Sequence, residues 1–310
     1  MMTRAVSLAK RMTEQVFPHL PNLESDSDVA DPVSRHGQDG PAAHGTTSVY
    51  SEEHDRMTQA GVVKVAILTG ASSGIGWALA KELSKDGYHM GLVARRQEPM
   101  EKLCEEIRQA GGTAAFATAD VADRSAVLNA IQALEAKLGP VDLLVANAGM
   151  GVPTKLEPMN VPETEQMFRV NMFGVMYAIE AVLPGMLKRG HGHLAGVSSL
   201  AAYKGFPGQA GYCASKAAVK TYLESLRLQL RERNIQVTCI CPGFVRTPMT
   251  EGHGFRMPFL MDADEAARRV ARALRRKKKV FNFPWQTERL VKFCYWVPDR
   301  ILVRVLRGTY

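Results

Sequence analysis

The sequence predicts a doubly wound α/β domain, in which helices cover both faces of a parallel sheet. From Val62 onward, short and nearly continuous apolar runs alternate with longer segments of helical periodicity. This pattern is typical of parallel strands buried on both faces. A glycine-rich turn, TGASSGIG at residues 69–76, joins the first apolar run to the first helical segment. Sheets of this class bind ligands beyond the carboxyl ends of their strands, so functional residues are expected where strands end.

The apolar runs predict seven strands, and the segments between them predict six helices. The strands are placed at Val63–Leu68, Met90–Val93, Ala115–Ala119, Leu143–Ala146, Leu194–Val197, Val237–Ile240 and Val280–Phe283. The helices are placed at Ile75–Lys85, Glu98–Ala110, Arg124–Leu138, Thr164–Lys188, Ala210–Glu232 and Asp264–Arg276. Residues 62–283 are therefore expected to form one domain.

The segment before this domain, residues 1–61, is predicted to be a disordered extension. Residues 21–60 hold eight acidic and two basic residues and are rich in Gly, Pro and Ser. Such a stretch cannot bury enough apolar surface to offset the entropy of ordering.

The segment after the domain, residues 284–310, is predicted to form two short amphipathic helices on either side of Pro298. Residues 266–310 hold thirteen basic and two acidic residues. Two interpretations stay open. Residues 275–310 could lie on an anionic membrane surface, or the apolar stripe could pack on the domain while the basic residues face water. The second is favoured, and nucleic-acid binding is not expected because no recognised module is present.

Composition excludes several other classes of protein. Of the 310 residues, 46% are hydrophobic and 23% charged, as in an ordinary globular protein. The five cysteines form no C-x-x-C pair, so neither a disulfide framework nor a metal site is predicted, and a cytoplasmic location is expected. No apolar run approaches the roughly 18 residues that a membrane span needs.

The turn at residues 69–76 fits two chemistries. Glycines after a strand allow a tight turn, and the amide groups at the start of the next helix can bind a nucleotide phosphate. Gly70 to Gly74 also fit G-x-S-x-G, the nucleophile elbow of hydrolases. The second strand favours the nucleotide, because Arg95 and Arg96 follow it about twenty residues after the turn. Guanidinium groups there would pair with the 2′-phosphate of NADP, whereas a site for NAD usually has an acid.

Reactive side chains follow the later strands. Tyr212 and Lys216 are four residues apart and share a helix face. Lowering the pKa of a tyrosine from about 10 to about 7 takes roughly 4 kcal/mol, and a nearby ammonium group can supply it. Asn147, Ser199 and Thr247 each follow a predicted strand, and Asn171 lies on the helix after the fourth strand. All belong to one edge of the sheet.

Together, TGASSGIG, Asp120, NAG, Asn171, Ser199, Y-x-x-x-K and PGFVRT closely resemble the classical short-chain dehydrogenase/reductases, from about Val62 to about Met249. The resemblance implies a Rossmann-type, NADP-binding catalytic domain that interconverts a carbonyl and a secondary alcohol by hydride transfer. It implies that Tyr212 is the acid or base, that Lys216 lowers its pKa and binds the nicotinamide ribose, that Ser199 orients the substrate oxygen, and that Asn171 holds a water linked to Lys216.

The resemblance also implies the residues that hold the cofactor. The pyrophosphate and adenosine would be lined by Gly70, Ser72, Ser73, Ile75 and Gly76, the adenine by Asp120 and Val121, and the nicotinamide side by Asn147, Lys216 and Thr247. The chain departs from the family pattern at two positions. At Ala146 a second asparagine is common, and at Ser73 some NADP-dependent members carry a basic residue. The preference for NADP therefore depends on Arg95 and Arg96.

Three alternatives are weighed against this function. A hydrolase would need a histidine and an acid after the serine, and His253 lies in a glycine-rich loop without an anchored acid. A non-catalytic NADP(H) sensor is disfavoured because all four reactive positions are present, and a membrane-peripheral role is compatible with catalysis.

The substrate is expected to be an apolar carbonyl or alcohol, with Met150, Phe206 and Phe255 as candidate wall residues. Family members commonly form homodimers or homotetramers, which is expected here.

Overall fold

The computed structural model describes residues 63–251 and 257–306. Its main sheet has seven strands, and a short parallel pair lies beside it. The strands are β1 (Lys64–Thr69), β2 (Tyr88–Ala94), β3 (Ala114–Thr118), β4 (Val141–Ala146), β5 (Gly192–Val197), β6 (Ile235–Pro242), β7 (Val245–Arg246), β8 (Met261–Asp262) and β9 (Val280–Phe283). The sheet order is β3-β2-β1-β4-β5-β6-β9 and every pairing in it is parallel. The predicted doubly wound α/β fold is confirmed.

Helices cover both faces of this sheet. They are α1 (Gly74–Lys85), α2 (Gln97–Gln109), α3 (Arg124–Leu138), α4 (Val161–Phe168), α5 (Gly174–Arg189), α6 (Ala210–Gln229), α7 (Ala263–Arg275), α8 (Trp285–Cys294) and α9 (Asp299–Leu306). Helices α1, α2 and α7 contribute to one hydrophobic core, and α3, α5 and α6 contribute to the other. Strand β1 serves both cores, because Leu68 packs in the first and Ile67 in the second.

The predicted helix Thr164–Lys188 is not continuous. A π-helical turn at Arg169–Phe173 separates α4 from α5. Helical periodicity continues on both sides of this turn, so the apolar pattern did not reveal it. Such turns occur frequently at functional sites, and Asn171 lies in the middle of this one.

The helical run 161–189 bears on the prediction about membrane spans. By length and composition alone it could cross a membrane, with a mean hydropathy of 1.5 in its most apolar window. The two statements do not conflict, because an average over 18 residues tolerates isolated polar residues that interrupt an apolar run. In the fold, α5 packs against β4 and α3, and Val175, Ile179 and Val182 are buried. Core helices pass the same test, so the run is weak support for a span.

The strand order reverses at β1, whose two neighbours are β2 and β4. In open α/β sheets the crevice beyond such a point is where ligands bind. The turn after β1 and the segment after β4 therefore form the floor of the expected site. The predicted disordered extension, residues 1–61, lies outside the described residues.

Candidate active site

The turn after β1 closes tightly against the segment after β4. Gly70 has a φ of +70°, and a Cβ atom there would lie 2.6 Å from the Cα atom of Ala148. A Cβ atom at Gly76 would lie 2.2 Å from the carbonyl oxygen of Gly70. Only glycine fits such positions, so these two residues leave an open cradle of backbone between β1 and α1.

Asn147 ties the same two segments together. Its side-chain amide donates to the carbonyl oxygens of Thr69 at 3.0 Å and Gly70 at 3.2 Å. Its backbone amide donates to the hydroxyl of Thr69 at 3.1 Å. Asn147 therefore fixes the floor of the cavity.

The amino end of α1 faces the cradle. The first amides of a helix have no partner within the helix and carry a partial positive charge. Ser73 precedes the helix, and its side chain makes no capping hydrogen bond. Its hydroxyl and the first amides of α1 are therefore available to a ligand.

Arg96 and Arg95 differ in their contacts. The Arg96 guanidinium donates to both the carbonyl oxygen and the hydroxyl of Ser72 at 3.1 Å, across the turn. Arg95 lies 3.9 Å from the Asp120 carboxylate in an exposed ion pair, and Asp120 also accepts from the backbone amide of Ala122 at 3.0 Å. Both arginines thus border the cradle with their positive charge.

A cavity of about 420 Å³ lies above this floor. Every predicted site residue except Asn171 lines it, and both the cofactor and the reactive residues are present: Gly70, Ser72, Ser73, Ile75, Gly76, Arg95, Arg96, Asp120, Val121, Asn147, Ser199, Tyr212, Lys216 and Thr247. The carboxyl edge of the sheet therefore brings the predicted set together in one place.

Tyr212 lies on α6 beside Ser199, which follows β5. Burial raises the pKa of the tyrosine hydroxyl, and a hydrogen bond with Ser199 acts in the opposite direction. The ring lies close to Gly151, where an added Cβ atom would come within 3.3 Å of it. Ser199 also accepts a hydrogen bond from the amide of Ala201 at 3.1 Å, which orients its hydroxyl.

Lys216 is buried one turn further along α6. Its ammonium group donates to the carbonyl oxygen of Val197 at 2.9 Å and lies 6.0 Å from the centre of the Tyr212 ring. Burial lowers the pKa of Lys216 to about 8, and the nearby thiols of Cys239 and Cys241 act in the opposite direction. The expectation that Lys216 lowers the pKa of Tyr212 stays a prediction. In this structure the Lys216 ammonium group is directed to a backbone carbonyl. Burial has the largest effect on the pKa of Tyr212.

Asn171 lies behind the cavity wall, where it is fully buried. Its side-chain amide donates to the carbonyl oxygen of Met150 and to the hydroxyl of Ser215, both at 2.9 Å, and its carbonyl oxygen accepts from the amide of Met150 at 2.8 Å. A Cβ atom at Gly149 would lie 3.2 Å from both the Asn171 side-chain oxygen and the Lys216 nitrogen. Because Gly149 has no side chain, the Asn171 oxygen and the Lys216 nitrogen can both lie close to its backbone.

The sequence argument missed several residues of this site. Ser215 accepts from Asn171 and donates to the carbonyl oxygen of Tyr212 at 2.8 Å, and Ser198 donates to the carbonyl oxygen of Lys216 at 2.7 Å. The signal that the sequence offered was Ser215, which lies three residues after Tyr212 on the same predicted helix. Of the candidate wall residues, Met150 lines the cavity, Phe206 packs in the core beside it, and Phe255 lies outside the described residues.

The family model described as short chain dehydrogenase matches residues 64–255. Among curated proteins, the chain is similar to an uncharacterized oxidoreductase of Myxococcus xanthus (strain DK1622), with 40% identity over 223 residues that cover 72% of this chain and 88% of that protein.

Two solved structures of complexes with an NADP-type molecule have the same fold. One is a point variant of actinorhodin polyketide ketoreductase with NADPH (28% identity, TM-score 0.66, 71% of this chain and 95% of that one). The other is an alcohol dehydrogenase from the archaeon Thermococcus sibiricus complexed with 5-hydroxy-NADP (30% identity, TM-score 0.64, 71% and 95%). The chain therefore belongs to the short chain dehydrogenase family and is an oxidoreductase with a Rossmann-type nucleotide-binding fold.

Proposed function

We propose that the protein uses NADP(H) to interconvert a carbonyl compound and a secondary alcohol, with Tyr212 as the acid or base. The observation that carries this proposal is the convergence of Tyr212, Ser199 and Lys216 on one cavity whose floor is the glycine cradle. A proton-transfer group, a hydroxyl partner and a buried cation beside a nucleotide cradle are the parts that such a reaction requires.

The cradle fits a dinucleotide. Space for the pyrophosphate exists because Gly70 and Gly76 have no side chains, and the amide groups of α1 would donate to its oxygens. Asp120 and Val121 would border the adenine, and Thr247 and Asn147 would border the nicotinamide end. When bound, the nicotinamide supplies or accepts the hydride.

Arg96 supports NADP over NAD. Its Nη2 group already donates to Ser72 across the turn, so the guanidinium is held in position while its other N–H groups remain to receive a phosphate. Arg95 would add a second positive charge, and its pairing with Asp120 is weak because both groups are exposed.

Tyr212 and Ser199 would manage the proton. In carbonyl reduction the Tyr212 hydroxyl donates its proton to the substrate oxygen, and in alcohol oxidation the tyrosinate accepts it. The raised pKa of Tyr212 favours the protonated form, which suits the reduction. Ser199 would donate a hydrogen bond to the same substrate oxygen and so fix its distance from Tyr212.

Lys216 and Asn171 would support Tyr212. The charged form of Lys216 would bind the nicotinamide ribose and stabilise a tyrosinate. Asn171 positions the Met150 segment and Ser215, and a water between Asn171 and Lys216 would link the lysine to solvent.

The substrate is proposed to be apolar, because Met150, Val170 and Met249 line the cavity. A homodimer or homotetramer in the cytoplasm is proposed as the working form.

Replacement of Tyr212 with Phe tests this function. Turnover of NADPH with a panel of apolar ketones and aldehydes should fall by at least a hundredfold, since general acid catalysis contributes on the order of 10²–10⁴, while NADPH still quenches or shifts protein fluorescence. The matched control is Tyr222→Phe, the same change on α6 outside the cavity, which should leave turnover intact. Turnover retained in Tyr212→Phe would refute the proposal. Cofactor binding without turnover in the wild type would favour the sensor.

A further inference from the structure

Exposed apolar side chains are concentrated on one edge of this molecule. Of the seventeen large hydrophobic residues that are exposed in the described part of the chain, thirteen lie in the segments 156–161, 249–260 and 285–303, which come after the carboxyl ends of β4, β6 and β9. The four elsewhere are Val63, Phe173, Leu187 and Leu228. Scattered single exposures are normal, whereas a contiguous apolar surface indicates a binding partner.

The largest part of this surface belongs to α8, α9 and the turn between them. Its residues are Trp285, Leu290, Phe293, Tyr295, Trp296 and Ile301, here called the tail surface, with 83% of Trp296 and 65% of Phe293 exposed. Each aromatic residue of this size would bury about 150–250 Å² if a partner covered it.

The opposite side of the same segment is anchored to the domain, which fixes the direction of the tail surface. Val291 and Leu302 are buried. Glu288 accepts from the side-chain amide of Asn282 at 2.8 Å, and Asp299 lies 3.7 Å from Lys204, in the segment that follows Ser199. The sequence left open whether this segment packs or faces a partner. In the structure one side packs and the other is exposed.

The start of α8 lies beside the cavity lining. A Cβ atom at Gly243, which lines the cavity, would lie 3.2 Å from both Pro284 and Thr287. Met249 lines the cavity and is itself 41% exposed. The open mouth and the tail surface therefore belong to the same edge of the sheet.

The charge around the tail surface is positive. Arg289, Arg300 and Arg304 form no ion pair with any described residue, whereas both acids of the segment are paired, Glu288 with Lys292 and Asp299 with Lys204. Arg289 lies over the ring of Trp285 at 4.8 Å, with its stem along the apolar surface and its charge at the border. Aromatic residues bordered by arginines match the headgroup region of an anionic bilayer.

We propose that the tail surface binds a lipid bilayer containing anionic headgroups, with the cavity mouth directed toward that bilayer. A second copy of the chain is a poorer occupant. A twofold interface would place the same patch on itself and bring the unpaired arginines of both copies together. If the proposed carbonyl chemistry holds, on which this step rests, the bilayer would supply the apolar substrate directly to the mouth.

The basic run 275–279 does not take part in this contact. It precedes β9, and Lys279 accepts a hydrogen bond from the amide of Cys239 through its carbonyl oxygen. The run therefore lies toward the amino ends of the strands, and Lys277 is near enough to His193 to affect its pKa. The membrane contact that the sequence left open for residues 275–310 thus divides between two edges, and only the tail surface faces the proposed bilayer.

The test is flotation of the full chain with vesicles of phosphatidylcholine, alone and with phosphatidylglycerol added. The protein should float with the anionic vesicles and much less with the neutral ones. Phe293→Glu with Trp296→Glu should weaken binding to the anionic vesicles at least tenfold. The matched control, Leu187→Glu with Leu228→Glu, adds the same charge at exposed positions toward the other edge and should bind as the wild type does.

A second pair of variants tests the charge. Arg300→Gln with Arg304→Gln should weaken binding roughly tenfold or more, since each basic residue near an anionic surface contributes about fivefold. Lys278→Gln with Lys279→Gln, in the basic run, should change it little. Brominated lipids should quench the tryptophan fluorescence, and Trp296→Phe should reduce that quenching, because two of the three tryptophans belong to the tail surface.

Absence of flotation with anionic vesicles would overturn the proposal. So would equal loss in the tail and control variants, or a loss confined to the lysine variant. A change from dimer to monomer on sedimentation of Phe293→Glu with Trp296→Glu, without loss of flotation, would assign the surface to a second copy. None of these measurements needs cofactor or substrate, so their failure is distinct from failure of the proposed catalysis.

Discussion

Two buried bases, at different depths of the same sheet, show how one physical effect can serve two purposes. His193 lies near the amino end of β5, and Lys216 lies at the carboxyl edge beside the cavity. Burial lowers the pKa of both, to about 4 for His193 and to about 8 for Lys216. At pH 7 the histidine is therefore neutral, and its Nε2 atom shares a 2.8 Å hydrogen bond with the hydroxyl of Thr238. The lysine stays charged although it is buried.

The difference separates a structural site from a candidate functional site. A neutral buried histidine with a hydrogen-bond partner has no electrostatic penalty at pH 7. A buried ammonium group does, because lowering its pKa from 10.5 to about 8 corresponds to about 3 kcal/mol. Clefts that hold strongly shifted groups are candidate functional sites, and the cost at Lys216 has its explanation in the chemistry proposed for Tyr212.

The largest effect is expected from Lys216→Met. Turnover should fall at least a hundredfold, because the variant cannot bind the ribose or stabilise a tyrosinate. The free energy of unfolding should stay the same or rise, because a buried charge is replaced by an apolar side chain of similar length. Chemical denaturation and steady-state kinetics measure both, with Lys220→Met on the next turn of α6 as the control. Loss of turnover with a large loss of stability would mean that Lys216 is structural.

The second effect concerns His193 and acid. Below pH 6.5 the unfolded chain binds a proton that the folded chain does not bind until about pH 4. The contribution of His193 is thus complete above pH 6.5 and is lost as the pH falls, by about 2 kcal/mol between pH 7 and pH 5. The free energy of unfolding of His193→Gln should depend less on pH over that range by this amount. The exposed His191→Gln should behave as the wild type, and an unchanged slope in His193→Gln would contradict the account.

The third effect concerns the two arginines of the cradle. Arg96→Gln should weaken NADPH binding roughly tenfold to a hundredfold, because a hydrogen bond to a charged group contributes about 1.5–3 kcal/mol, and should leave NADH binding nearly unchanged. Arg95→Gln should have a smaller effect, since Arg95 already has a carboxylate within 3.9 Å. Equal losses for both cofactors in Arg96→Gln would mean that this residue supports the turn and does not select the phosphate.

The smallest effect is expected from Ser215→Ala. This change removes a hydrogen bond to Asn171 and another to the carbonyl oxygen of Tyr212, each contributing about 1 kcal/mol. The kcat value should fall about fivefold with little change in KM, since Ser215 is fully buried and is not among the residues that line the cavity. Ser215→Thr restores a hydroxyl and should recover part of the loss. A change confined to KM would show that Ser215 acts on the substrate side.

The sequence predicted what depends on local pattern. Each of the seven predicted strands is present, with ends within two residues of the prediction, because buried parallel strands are unbroken apolar runs. Most residues that line the cavity could be predicted, because reactive residues follow strand ends and parallel strands bring those ends together. The predicted helices on either side of Pro298 are also present.

What the sequence could not predict depends on tertiary contacts. The π-helical turn at Asn171 leaves the apolar spacing unchanged. The direction of the Lys216 ammonium depends on the carbonyl of Val197, which any residue would provide. The basic run and the tail surface are close in sequence, yet the length of β9 places them on different edges of the sheet.

The most direct test of the proposed function is a fluorescence titration of the full chain with NADPH and, separately, with NADH. The glycine cradle and Arg96 predict that both bind and that NADPH binds at least tenfold more tightly. Equal affinities would remove the argument from Arg96 and leave the oxidoreductase. Failure of both cofactors to bind would contradict the central claim that this cavity holds a nicotinamide dinucleotide.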